Sequence, residues 1–106
     1  MAWIALVVAG LFEVVWAYAM KQSQGFSRLL PSLVTVVMMG ASFGLLSYAM
    51  RSIPLGTAYT VWTGIGAVGA FVVGVVVLGE QLNLMRLCAA LLILCGLLLM
   101  KLAAPD

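Results

Sequence analysis

The run Ala2-Trp3-Ile4-Ala5-Leu6-Val7-Val8-Ala9-Gly10-Leu11-Phe12-Glu13-Val14-Val15-Trp16-Ala17-Tyr18-Ala19-Met20 decides the fold. As an α-helix it has the length to cross a bilayer, which takes about 20 mainly apolar residues. Its one charge, Glu13, stands near the middle. A carboxylate at mid-bilayer costs about 2.5 to 3.5 kcal/mol on insertion scales, so it persists where it faces a protein interior, water or a cationic ligand. That cost makes Glu13 the first candidate for function.

The rest of the chain repeats the apolar pattern. Of its 106 residues, 66% are hydrophobic and 8% are charged, and the mean hydropathy is +1.27. Soluble domains are about half apolar. Polar punctuation falls at residues 21–28, 51–56 and 79–83, which predicts three short turns between four spans at about 2–20, 30–50, 57–78 and 85–103. The expectation is an all-α membrane protein forming a single integral membrane domain over residues 1–106, with no length to spare for a soluble domain. Pro31 falls near the start of the second span, where its missing N–H is harmless.

Ala17-Tyr18-Ala19 mimics a signal-peptide cleavage site, yet no basic segment precedes the run and Glu13 interrupts it. The first run is therefore read as a retained span. The net charge of +2 comes from five basic residues scattered among the loops, too sparse for a nucleic-acid surface or a lipid-binding basic cluster. Cys88 and Cys95 stand about 10.5 Å apart along one helix axis, beyond disulfide reach. Two thiols without histidine make a poor metal site, and no nucleophile and base are paired. The sequence predicts no metal, no cofactor and no enzyme chemistry.

Lysine and arginine in short loops set the orientation of a membrane chain. Lys21, Arg28 and Arg86 fall on one side, Arg51, Lys101 and the terminal amine on the other. The near balance predicts insertion in both orientations. Four short helices enclose too little volume to line a polar cavity and screen it from lipid, which predicts a homodimer. Two oppositely inserted copies resemble a transporter built from inverted repeats, with the site near the midplane at their interface. Two Glu13 carboxylates then face each other.

At 100° per residue Gly10, Glu13 and Ala17 share one face of the first helix, with Trp16 beside the acid. Trp16 either joins a binding site or packs against a neighbour. In the third span, Tyr59 and Trp62 are an aromatic pair at i and i+3, followed by Gly64, Gly66 and Gly69. The glycines serve close helix packing or act as a bending point. Aromatic faces beside a counter-charge suit a planar or soft cation, so Tyr59 and Trp62 are candidate lining residues. Ser42 lies at about the depth of Glu13 and bonds either its own helix or the carboxylate. Met38 and Met39 read as flexible packing, and Lys21, Glu80, Arg86 and Lys101 as interfacial charges.

Glu13-Val14-Val15-Trp16-Ala17 with Lys21, Gly25-Phe26-Ser27-Arg28, Pro31-Ser32, Pro54-Leu55-Gly56-Thr57-Ala58-Tyr59 and Val61-Trp62-Thr63-Gly64-Ile65-Gly66-Ala67-Val68-Gly69 together resemble the small multidrug resistance family. The resemblance covers essentially the whole chain. Trp16 directs it to the guanidinium-exporter subtype, since the polyaromatic-drug exporters have a small residue there. Gly44, Tyr48, Thr60 and Leu84 depart from the family pattern without removing a site residue.

The resemblance implies an antiparallel homodimer in a bacterial cytoplasmic membrane. In it Glu13 of both subunits binds protons or guanidinium alternately, Ser42 and Trp16 bond the carboxylate, and Tyr59 and Trp62 line the site. Proton-coupled export of guanidinium and related guanidinyl cations is then the expected function. The rivals are export of quaternary ammonium or other drug cations, and a non-transporting scaffold in which Glu13 only fixes helix pairing.

Overall fold

The computed structural model of the protein describes residues 1–103, so residues 104–106 of the single-domain reading lie outside the described residues. It is all-helical: α1 (Ala2–Gln22), α2 (Leu29–Ala49), α3 (Leu55–Val76) and α4 (Leu84–Leu102). All four are long and apolar enough to cross a membrane. Short connections make successive helices run in opposite directions.

Local chemistry sets the helix ends. At the end of α1 the buried Ser23 hydroxyl donates to the Met20 carbonyl at 2.6 Å and accepts the Phe26 N–H at 3.0 Å. Between these anchors Gln24, Gly25 and Phe26 all adopt left-handed backbone, with φ of 51°, 74° and 65°. The two non-glycine residues each cost about 1–2 kcal/mol in that region. Ser23 and Ser27 offset this by tying the turn to itself, Ser27 donating its hydroxyl to the Gln24 carbonyl at 2.8 Å.

Leu55 and Gly56, read from sequence as part of the turn, instead open α3: Pro54 stands just outside the helix as its N-cap, with φ −57° and ψ 149°, and its carbonyl accepts the Ala58 N–H at 2.9 Å. Asn83 caps α4, its side chain accepting the Arg86 N–H at 2.9 Å.

α1 lies against both α2 and α3, and the backbone of α4 approaches α3 alone. Close approach depends on glycine. A Cβ at Gly10 would overlap the Ile65 side chain, one at Gly64 would overlap Leu97, and one at Gly69 would overlap Val14. Gly10 and Gly69 thus bring α1 and α3 together, and Gly64 seats α4, the small-residue packing membrane helices use. The buried cluster of Ala5, Leu6, Ala9, Leu46, Ala49, Ile53, Ala58, Val61 and Trp62 fills the bundle where α1 begins.

No described residue of α4 is buried. Two cation–π contacts help hold it: Arg86 lies over the Phe71 ring at 5.1 Å, and Lys101 reaches the Trp3 ring at 4.7 Å. Arg86 also pairs with Glu80 at 3.7 Å and bonds the Gln81 carbonyl. Cys88 and Cys95 are free thiols on the exposed surface. The molecule measures 43 × 34 × 17 Å along its principal axes, a slab rather than a closed bundle.

Candidate functional site

Glu13 comes to the α1–α3 contact because the apolar residues around it pack α1 there. A Cβ built at Gly66 would overlap the Glu13 carboxyl carbon and both oxygens, so the acid lies directly on the α3 backbone. Its Oε1 is buried and has no hydrogen-bond partner among the described residues. One turn along α1, the buried Trp16 indole N–H is likewise unpaired. An acceptor and a donor of opposite need therefore lie three residues apart on one helix, inside the protein.

The Trp16 ring meets Phe43 of α2 edge-on, with centroids 6.3 Å apart and planes at 78°. Phe43 in turn lies 5.7 Å from Trp62, and Trp62 lies 5.7 Å from Tyr59. Four rings from α1, α2 and α3 thus form one aromatic series running from beside Glu13 to the outer face of α3. Rings in tilted and edge contact turn both faces and edges outward, surfaces suited to a cation's charge and a planar group's stacking.

Ser42 is fully buried and bonds neither its own helix nor Glu13. Its hydroxyl donates to the Ala9 carbonyl of α1 at 2.7 Å and accepts the Trp62 indole N–H at 2.9 Å. Trp62 is therefore buried with its polar atom satisfied.

Tyr59 is about half exposed. Its ring meets Trp62 at a tilt, with planes at 43°, and it lines a groove of about 620 Å³ between α3 and α4, together with Thr63, Gly64, Ala67 and Leu97. The structure thus sets Glu13 on Gly66, links Trp16 through Phe43 to Trp62 and Ser42, and leaves Tyr59 at the exposed end of that series.

Phe43 escaped the reading of the sequence, although it bridges Trp16 and Trp62. The signal was present: an aromatic residue directly after Ser42, at the depth already assigned to Glu13. The Ala9 carbonyl carried no comparable signal, because an alanine's backbone is invisible to side-chain patterns.

Among the described residues no cluster of histidine, cysteine, aspartate or glutamate has the makeup to hold a metal ion. The spans of α2 and α3 contain no charged residue, so the Glu13 carboxyl has no counter-ion from either neighbour.

A profile of the small multidrug resistance protein family matches residues 1–94, a stretch that includes Glu13, Trp16, Ser42, Tyr59, Trp62 and Gly66. The chain belongs to the small multidrug resistance family. Its relatives include a protein of Yersinia pseudotuberculosis serotype I (strain IP32953), 59% identical over 104 residues, covering 98% of this chain and all of the relative. A protein of Escherichia coli (strain K12) is 57% identical over 103 residues, covering 97% of this chain and 98% of its own. One from Proteus vulgaris is 51% identical over 104 residues, covering 98% and 100%. All three are named guanidinium exporters. As a member of the small multidrug resistance family with four apolar helices, the chain is a multi-pass membrane transporter.

Proposed function

We propose that this protein is a proton-coupled antiporter that exports guanidinium and related small guanidinyl cations across the bacterial cytoplasmic membrane, working as an antiparallel homodimer. The observation that carries this reading is Glu13, an acid inside α1 whose Oε1 is buried without a partner. The name shared by relatives at 51% to 59% identity supports the cargo.

A planar guanidinium presents paired N–H donors that match carboxylate oxygens in a fork, a geometry compact inorganic cations lack. The aromatic series through Trp16 and Trp62 adds faces on which the flat cation stacks. Protonated, Glu13 loses its attraction for cations, so proton and cargo exclude one another. A dimer that changes access only when loaded then exchanges inward protons for outward guanidinium.

The slab shape favours the dimer. A body 17 Å deep does not enclose a polar site on every side, and a second copy shields it from lipid while bringing two acids together. The near balance of loop charges favours both orientations. A C-terminal reporter found on one side of the membrane alone would count against dual topology.

Transport is tested in proteoliposomes carrying a proton gradient. Guanidinium uptake is expected in the wild type and absent in Glu13→Gln, with the variant still eluting as a folded dimer. Uptake by Glu13→Gln at the wild-type rate would refute the role of the acid. Preferential binding of tetraalkylammonium over guanidinium in competition would point to the drug-cation alternative.

A further inference from the structure

The Glu13 carboxyl group occupies space that exists because residue 66 has no side chain. A Cβ there would overlap the carboxyl carbon and both oxygens. The platform beneath the acid is helical backbone within α3, whose N–H groups are committed to the helix and offer the carboxyl no donor. An ionised oxygen buried without a donor or counter-charge is heavily penalised, whereas a neutral acid in the same place leaves only an unpaired dipole. The position on Gly66 therefore suits the protonated acid.

A second position is implied by Trp16. Its buried N–H lacks an acceptor and lies at i+3 from Glu13, on the neighbouring part of the same helix face. A carboxyl group that turns off α3 toward the indole pairs both orphaned groups in one movement.

We propose that Gly66 is the resting platform of protonated Glu13, and that ionisation moves the carboxylate off α3 toward the Trp16 N–H and the bound cation. The inference rests on the reading of Glu13 as the proton and guanidinium site, and it makes Gly66 a positioning residue that touches the acid rather than the cargo. The helices packed on α1 contribute only two titratable groups, Tyr48 from α2 and Tyr59 from α3, and no charge. On α1 itself the others are Tyr18 and Lys21, toward its far end. The platform thus acts by space and desolvation, not by an ion pair.

Infrared titration of the protein in lipid, with carbon-13 in its glutamates, tests this directly. Glu13 and Glu80 are the only glutamates, and subtraction of Glu13→Gln isolates the first. Gly66→Ala removes the platform and is expected to lower the proton affinity of Glu13 about tenfold, because the displaced acid is better solvated. Gly69→Ala places the same methyl against Val14 instead, and is expected to change proton affinity by less than about twofold. An unchanged affinity in Gly66→Ala, or an equal fall in both variants, would overturn the proposal.

The wild type supplies a measurement that needs no variant to fold. The neutral Glu13 carbonyl is expected to absorb at the high frequency of an acid without a hydrogen-bond partner, and absorption at the hydrogen-bonded position would overturn the platform. Guanidinium binding is measured on the same samples. Loss of binding in the wild type, with the infrared results as expected, would sink the transport reading and leave the platform standing; pH-sensitive binding with contrary infrared results would do the reverse.

Discussion

Trp62 of α3 donates its indole N–H to the Ser42 hydroxyl of α2 at 2.9 Å, and Ser42 donates onward to the Ala9 carbonyl of α1 at 2.7 Å. Ala9 lies four residues before Glu13, so its carbonyl is also the helical acceptor for the Glu13 backbone N–H. One short relay therefore ties three helices at the level of the acid. Ser42 thereby joins α2 and α3 to α1 one helical turn before Glu13, without bonding its carboxyl group.

Removing the hydroxyl breaks both bonds. Ser42→Ala leaves the Trp62 N–H buried without an acceptor, which costs about 1–3 kcal/mol. Reversible unfolding in detergent is expected to show that loss, and guanidinium binding is expected to weaken as α1 loses its tie to α2 and α3 one turn before the acid. Wild-type stability in Ser42→Ala would mean that the relay does not hold the helices together.

The proposed competition between proton and cargo predicts a pH dependence. If each guanidinium bound displaces one proton from Glu13, apparent affinity is expected to fall about tenfold for every unit of pH below the range in which Glu13 titrates. Above it, where Glu13 is already ionised, affinity is flat. Calorimetric titrations at several pH values provide the check, and a flat profile throughout would exclude the acid as the shared site.

Gly64 and Leu97 form the seat of α4 on α3. A Cβ at position 64 would overlap the Leu97 side chain, so Gly64→Ala is expected to destabilise the chain by about 1–3 kcal/mol through overpacking. Trimming the partner relieves it: the double variant Gly64→Ala, Leu97→Ala is expected to recover part of the loss, read from a double-mutant cycle in detergent unfolding. Strictly additive effects would show that the two residues do not meet.

Lys101 illustrates a smaller effect. Its ammonium over the Trp3 ring links the end of α4 to the start of α1, where the two backbones do not approach. Lys101→Met keeps the apolar stem and removes the charge, with an expected cost of about 0.5–1 kcal/mol. Faster hydrogen exchange confined to the last turns of α4 is the sign to look for, and unchanged exchange would reduce Lys101 to a surface anchor.

The four helices were legible in the sequence because the bilayer imposes a long, nearly charge-free run on each, and three polar stretches separate them. Glu13 was legible for the same reason, as a charge where lipid permits none without cause. The start of α3 was not, since Leu55-Gly56 following Pro54 reads equally well as turn or first helical turn. Ser42 stood out as polar, but its partner did not: a hydroxyl in a span has every nearby carbonyl open to it, and only the packing of α1 on α2 selects Ala9. Gly66 shows the same limit. Its spacing predicts a close helix contact, yet nothing in the pattern says that the neighbour pressed against it is a carboxyl group.

In the proposed exchange Glu13 gives up a proton as it takes its cargo, and the most direct test is proton release from purified protein in weakly buffered detergent solution on addition of guanidinium, with the wild type compared with Glu13→Gln. Release in proportion to bound guanidinium in the wild type, and none in Glu13→Gln, is the result predicted. Binding without release, or equal release from both proteins, would contradict it.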